Sequence, residues 1–278
     1  MILKKIIIIG KNSFLGSNIY KSLKIKKKLI LNFNEFINLN EKTISQYDFV
    51  CNCAVNKKYK NNNYSIENDL DSKICKKISK LKIKYVFLSS RKVYKFKLNL
   101  KESDKTHPLE NYSKNKLITE KYLEKNLDKK LLILRISNVI GMKNKKKYRK
   151  VNNTFFDNYL AIVKTKKKYL YDNYFKDFIS IDQFTKMFSL SLKYNLSGKY
   201  NLSLGKKVYI SEIIDWLNFY NIKKNNFICK NKDTFKINQY SFSLSNNKLV
   251  KKINYKPKKE DLKIYCQKIS KKVFKFIR

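Results

Sequence analysis

Four consecutive isoleucines, Ile6–Ile9, run straight into Gly10-Lys11-Asn12-Ser13-Phe14-Leu15-Gly16, and no other stretch restricts the fold of this chain as much. β-Branched residues favour a strand. Glycine at the strand's end permits a tight turn, and Gly16 lets a helix lie close against the strand it follows. The N-terminus of such a helix faces an anion, which in this kind of unit is the pyrophosphate of a dinucleotide. The middle glycine of a G-x-x-G-x-x-G pattern is replaced by Ser13. The spacing predicts a dinucleotide-binding turn formed by Gly10, Asn12, Ser13, Phe14, Leu15 and Gly16.

The rhythm continues downstream. Short apolar runs at Leu29–Leu31, Phe49–Cys53, Tyr85–Leu88, Leu131–Ile136, Phe178–Ile181 and Tyr200–Leu202 alternate with helical stretches at Leu15–Leu23, Asp69–Leu81, Asn111–Leu127 and Gln183–Leu192. Strands separated by helices imply βαβ units, hence an α/β fold with a doubly wound parallel sheet. Residues 141–176 break the rhythm, and so do 206–278, where helical Ser211–Phe219 leads into Asn/Lys-rich sequence. The expected organisation is a dinucleotide-binding domain of residues 1–140, to which 177–205 return, with 141–176 and 206–278 forming a small C-terminal lobe. No signal peptide fits, because the first apolar run ends at Gly10. No run of about 20 apolar residues is present to span a membrane, so a cytoplasmic protein is expected.

The net charge of +43 looks like a nucleic-acid signature, but the composition argues against that function. Of 64 basic residues only Arg91, Arg135, Arg149 and Arg278 are arginine, while the chain holds 33 Asn, two Ala and five Gly. An AT-rich genome produces that balance. Proteins that read bases lean on arginine's planar fork, and these lysines are spread along the whole chain. No specific nucleic-acid partner is expected, although anions and, at low salt, nucleic acid are attracted nonspecifically. Five cysteines and the single His107 do not form a metal-ligand pattern. Cys51 and Cys53 read as buried thiols on one face of a strand.

Three further groups of residues carry chemistry. Asn32, at the end of the second strand, stands where an acidic residue holds the adenosine ribose of NAD. Asparagine bonds a ribose hydroxyl without repelling a 2′-phosphate, so NAD and NADP both remain open. Tyr112 and Lys116 are spaced i,i+4, which puts phenol and ammonium on one helix face about one turn apart. The ammonium then favours the phenolate, and the phenol can serve as acid or base. Ser89 and Ser90 end an apolar strand, at the side of a parallel sheet where ligands bind.

Together these elements resemble the extended short-chain dehydrogenase/reductase family, also called the NAD-dependent epimerase/dehydratase family, over roughly residues 3–205. Besides the glycine turn, the resemblance rests on Asp48-Phe49-Val50-Cys51-Asn52-Cys53-Ala54, on Asn68 heading the next helix, and on Pro108 followed by Tyr112, Lys116 and Glu120. It continues in Leu134-Arg135-Ile136-Ser137-Asn138-Val139-Ile140-Gly141, in Lys176-Asp177-Phe178-Ile179-Ser180-Ile181-Asp182 with lysine replacing the family's arginine, and in Gly198-Lys199-Tyr200-Asn201-Leu202. The resemblance implies a Rossmann-type domain that binds NAD or NADP, a lobe that binds substrate, and a nucleotide-sugar substrate modified in surface-polysaccharide biosynthesis by a homodimer. It implies that Ser90 orients the sugar's hydroxyl or keto group, that Tyr112 transfers the proton, and that Lys116 holds the nicotinamide ribose. Cys53 and Ala54 would border the cofactor. Asn138, Asn153 and Lys176 would bind substrate, Lys176 at its diphosphate.

Two departures narrow this. Only 16 positions separate Asn32 from Asp48, so the usual helix and third strand are compressed or missing. The family's 4,6-dehydratases carry Thr-Asp-Glu where this chain has Ser90-Arg91-Lys92, which removes their acid–base pair; Glu102 and Asp104 are the nearest acids in the following loop. The expected chemistry is therefore 4-keto reduction or C4 epimerisation. The rival readings are a non-catalytic dinucleotide-binding regulator, which would not need Ser90, Tyr112 and Lys116, and a basic nucleic-acid binder.

Overall fold

The apolar runs do form strands, and six of them share one parallel sheet. The computed structural model describes residues 4–25, 27–142, 155–165, 168–221, 227–230 and 241–275. The first half runs β1 (Lys5–Ile9), α1 (Phe14–Ser22), β2 (Lys27–Leu31), α2 (Phe33–Ile37), α3 (Glu41–Ile44), β3 (Phe49–Asn52), α4 (Lys57–Asn61), α5 (Leu70–Ile78), β4 (Lys84–Ser90), α6 (Asn111–Leu127) and β5 (Leu131–Ile136). Then come β6 (Asn138–Ile140), α7 (Phe155–Thr165), β7 (Tyr169–Tyr171), β8 (Phe175–Lys176), β9 (Phe178–Ser180), α8 (Ile181–Lys193), β10 (Gly198–Leu202), β11 (Val208–Tyr209), α9 (Ile210–Leu217), β12 (Phe227–Cys229), α10 (Asn247–Ile253) and α11 (Lys259–Lys275).

The large sheet is ordered β10-β5-β4-β3-β1-β2, every pair parallel. Strand order reverses at β1, from which the chain goes outward to β2 and then back across to β3. Ligands of such sheets bind outside the carboxyl ends of the strands at that reversal. The 16 positions between Asn32 and Asp48 hold only the short helices α2 and α3, and β2 is the sheet's edge.

Side-chain alternation explains why a nearly continuous apolar strand is needed. Ile6 and Ile8, Cys51, Val86 and Leu88, and Leu132 and Leu134 face α1, α8 and the Leu249 and Ile253 side of α10. Ile7 and Ile9, Val50, Tyr85 and Phe87, and Ile133 face α2, α3, α5 and α6. Both faces are covered, so neither can be polar. A separate apolar cluster joins α7, α9 and α11 to Ile140 and Phe178.

One expected strand lies elsewhere. Phe178–Ser180 pairs in parallel with β6, outside the large sheet, and Ile181 already begins α8. Ser180 turns the chain there, its Oγ accepting from the Gln183 N–H at 3.2 Å. Among the described residues no helix is long and apolar enough to cross a membrane.

The largest buried side chain is Arg135 of β5, whose Nε and Nη2 donate to the two oxygens of Glu120 at 3.0 and 2.6 Å. Ser89 Oγ donates to Glu120 Oε1 at 2.5 Å, and the Tyr94 ring covers the guanidinium at 4.6 Å. Arg135→Leu would leave a buried carboxylate with the Ser89 hydroxyl and, as a charged partner, Lys199 at 3.6 Å. Urea unfolding is expected to show a loss of about 3–5 kcal/mol, with the double variant Glu120→Leu/Arg135→Leu regaining much of it. A single-variant loss under about 1 kcal/mol would contradict this account.

Candidate functional site

The turn after β1 is built for close approach. Gly10 has φ +112°, and a Cβ there would sit 3.0 Å from Ala54 N and from the carbonyl carbon of Cys53. A Cβ at Gly16 would lie 2.6 Å from Gly10 O and 2.7 Å from Ser13 Oγ. Ser13 earns its place as the N-cap of α1, its Oγ accepting from the Gly16 N–H at 2.8 Å. The N–H groups of Phe14 and Leu15, in the first turn of α1, have no acceptor within the helix and are suited to an anion. Opposite the turn, Asn52 fixes the end of β3: its Oδ1 accepts from Ala54 N at 2.9 Å and its Nδ2 donates to Ala54 O at 3.1 Å. Asn32 heads α2, and its own N–H donates to Glu35 Oε2 at 2.7 Å. These residues fit a dinucleotide; the residue that follows β2 is Asn32 rather than an acid, and the Glu35 carboxylate beside it is taken up by the Asn32 N–H.

The second wall comes from β4 and α6. Ser90 ends β4, where its Oγ accepts from the Lys92 N–H at 3.2 Å and keeps its proton for another acceptor. Tyr112 lies in the first turn of α6, with Lys116 one turn on. Lys116 is buried, its Nζ 3.6 Å from Asp71 Oδ2 and 4.3 Å from the centre of the Phe87 ring. Burial opposes the ammonium, but Asp71, Tyr112 and Asp69 raise Lys116 above the usual lysine range, so it stays charged. Asp71 is itself held by Tyr85 OH at 2.5 Å and Asn52 Nδ2 at 2.9 Å. Burial raises its carboxyl, and Lys116 pulls the other way. Asn68 does not cap α5; Asp69 does, accepting from the N–H groups of Asp71 and Ser72 at 3.0 and 3.2 Å.

A third wall is cationic. Arg91 and Lys92 follow Ser90, and Lys176 of β8 stands beside them in the same cleft. Burial, then Arg91 and Lys92, bring Lys176 down to about 8. Lys92 donates to Glu110 at 2.6 Å at the rim, and Arg91 stacks on Phe242 at 3.8 Å.

All of this opens into one cleft of about 1370 Å³. That volume exceeds the range of a single small-molecule pocket and suits two ligands side by side. Gly10, Asn12, Ser13, Phe14, Leu15, Asn32, Cys53, Ala54, Ser90, Tyr112, Lys116, Asn138 and Lys176 line it. Gly16 sits behind the turn, acting through the close approach rather than the surface. Asn153 falls outside the described residues. Asn138 donates through Nδ2 to Asp177 O at 3.1 Å, so its amide nitrogen serves the backbone. Sequence reasoning missed Asp71, because its importance arises only where α5, α6, β3 and β4 converge. It also treated Arg91 and Lys92 only as the loss of two acids.

Residues 4–164 match the family described as the RmlD substrate binding domain. No curated protein sequence matches the chain. Among solved structures it is similar to UDP-N-acetylglucosamine 4-epimerase from Methanobrevibacter ruminantium in complex with UDP-N-acetylmuramic acid, with TM-score 0.72, 21% identity and 98% of each chain covered. It is similar to RMD from Pseudomonas aeruginosa complexed with NADPH, with TM-score 0.76, 16% identity, and 97% of this chain and 99% of that one covered. It is also similar to dTDP-glucose 4,6-dehydratase from Bacillus anthracis in complex with NAD, with TM-score 0.70, 14% identity and 96% of each chain covered. At these identities the likeness is one of fold.

The Lys176 environment yields a pH dependence. The side chain is charged below about 8 and neutral above it, and an anion binds the charged form better. Affinity for sulfate, whose own charge is constant in this range, is expected to fall as pH rises from 7 to 9. Calorimetry on Lys176→Met should show weaker binding that varies less with pH; an unchanged pH dependence would place the titrating group elsewhere.

Proposed function

The chain belongs to the RmlD substrate binding domain family, and from that membership we propose that it is an NAD(P)-dependent oxidoreductase or epimerase of a nucleotide-activated sugar. It works at C4, reducing a keto group or inverting a hydroxyl. The observation that carries this reading is the sharing of one cleft by Ser90, Tyr112 and Lys116 with the Gly10–Leu15 turn. A regulator that only binds dinucleotide has no need of a hydroxyl, a phenol and a buried charged lysine around a second ligand space.

The turn and the α1 N-terminus bind the dinucleotide diphosphate, with Cys53, Ala54 and Asn32 along its length. A nicotinamide held there would supply or accept the hydride at C4. Ser90 donates its O–H to the C4 oxygen and orients it. Tyr112 gives that oxygen a proton during reduction or takes one during oxidation. Lys116 stabilises negative charge on the Tyr112 oxygen while the proton is away, and its ammonium holds the ribose. Lys176 meets the substrate diphosphate as a point charge, without the two-pronged fit of an arginine. Apolar Leu88, Ile136 and Val139 line the same cleft and keep water from the reacting carbon.

Tyr112→Phe removes only the transferable proton. It is expected to lower kcat about 10²–10⁴-fold while leaving dinucleotide affinity unchanged. Lys116→Met should weaken both. Near-normal turnover in Tyr112→Phe moves the acid–base role to another residue, and a wild type that binds no dinucleotide in calorimetry removes the reading altogether.

The same cleft argues against dehydration. Arginine cannot accept a proton near neutral pH, and Lys92 is tied to Glu110. Glu102 accepts from the Asn201 N–H at 2.8 Å, and Asp104 from the Lys101 N–H at 3.0 Å; neither lines the cleft. Hexose nucleotides incubated with enzyme and cofactor should therefore show no product lighter by one water in mass spectrometry. Accumulation of a 4-keto-6-deoxy product would contradict this.

A further inference from the structure

Arginine is scarce in this chain, and its positions are informative. Where charge alone is wanted, the composition supplies lysine; only four of 64 basic residues are arginine, of which Arg91 and Arg135 lie in the described residues. Arg135 shows what the residue type is used for here: its Nε and Nη2 edge grips the Glu120 carboxylate at both oxygens. Arg91 has the same edge without the carboxylate. Its Nε is buried and has no hydrogen-bond partner. The guanidinium is held flat by Phe242 at 3.8 Å and Phe96 at 5.2 Å, so it is a fixed plate in the cleft wall.

The surroundings sharpen the point. Lys92 is spent on Glu110, while Lys176 crowds Arg91 with a second positive charge. Arg91 and Lys176 repel each other at the edge of the cleft, Glu110 offsets only part of the positive charge felt by Arg91, and a bound anion relieves the rest. The location favours the sugar. Arg91 is the residue after Ser90, at the end of β4, and β3 separates that strand from the glycine turn of β1.

Resting on the reading of the cleft as a sugar-nucleotide site, we infer that Arg91 receives a carboxylate carried on the sugar, so that the substrate is a nucleotide-activated uronic acid rather than a neutral hexose. Lys176 then serves the diphosphate and Arg91 the acid, and the two charges of the wall match the two charged parts of the ligand.

UDP-glucose and UDP-glucuronate differ by this one group and serve as probes. Calorimetry with the full chain, loaded with NAD or NADP, should show about tenfold or greater preference for the uronate, the gain typical of one bidentate charged contact. Arg91→Met should abolish the preference by weakening UDP-glucuronate about tenfold more than UDP-glucose, and Arg91→Lys should restore only part of it. Melting curves of both variants verify folding. Equal wild-type affinity for the two probes overturns the inference, as does Arg91→Met weakening both alike, which would put Arg91 on the diphosphate. Binding of dinucleotide but of neither probe also overturns it and leaves the cofactor site standing. Failure to bind dinucleotide removes the functional reading itself.

Discussion

The Glu120–Arg135 pair holds α6 against the sheet, and much of the remaining architecture depends on it. Glu120 belongs to α6, two turns beyond Tyr112, and meets β5 through Arg135 and β4 through Ser89. Tyr94 stacks on Arg135 and donates to Asn201 of β10 at 2.9 Å. One buried carboxylate therefore sets helix, three strands and the segment after Ser90 in mutual register. A buried ion pair adds little net stability but is costly to break, so its effect is to penalise any other placement of α6. That placement decides where Tyr112 and Lys116 stand.

A second polar layer lies under the same helix. Thr119 donates to Asp69 at 2.7 Å, and Asn115 donates to Tyr59 O and Asn62 O at 2.7 and 2.9 Å. With Lys116 on Asp71, the fully buried residues of α6 are Ser113, Asn115, Lys116, Thr119 and Glu120 before Leu123, with half-buried Leu117 among them. Polar groups removed from water must find partners, and here each donor points at a fixed acceptor. The N-terminal half of α6 is thus located by directional bonds, and Leu123 and Leu127 join the apolar core further along.

This also explains what could be read from the sequence. The large sheet was legible because both of its faces are covered, which forces apolar runs at β1, β3, β4 and β5. The glycine turn was legible because Gly10 and Gly16 have steric reasons to lack a Cβ. By contrast α6, expected as a helix from the rhythm, has no apolar stripe at its N-terminal end, where only the Tyr112, Lys116 and Glu120 spacing singled out residues. The pairing of β6 with β9 depends on contacts between segments about 40 residues apart, and short strands of that kind leave no periodic trace. Asp71 carries no mark in the sequence, and Arg91 stands out there only as the loss of an acid. Their meaning comes from burial and neighbours, which a linear pattern does not contain.

The excess of lysine has a structural explanation in several places. Lys28 donates to Tyr20 O and Leu23 O at the end of α1, Lys130 to Ser79 O and Leu81 O after α5, and Lys84 to Asn195 O after α8. Helix C-termini expose unpaired carbonyls and negative partial charge, which an ammonium satisfies. Glycine usually ends helices in the positive-φ region, but this chain has only five. Asp128, Asn195 and Asn254 take that conformation after α6, α8 and α10, with φ of 42°, 52° and 47°. A composition poor in glycine and rich in Asn and Lys thus closes its helices with the residues it has. Charges so used, and those fully in water, are screened beyond about 8 Å at physiological salt. The +43 total therefore says little about the ligand, whereas Arg91 and Lys176 are largely taken out of water at the wall of the cleft.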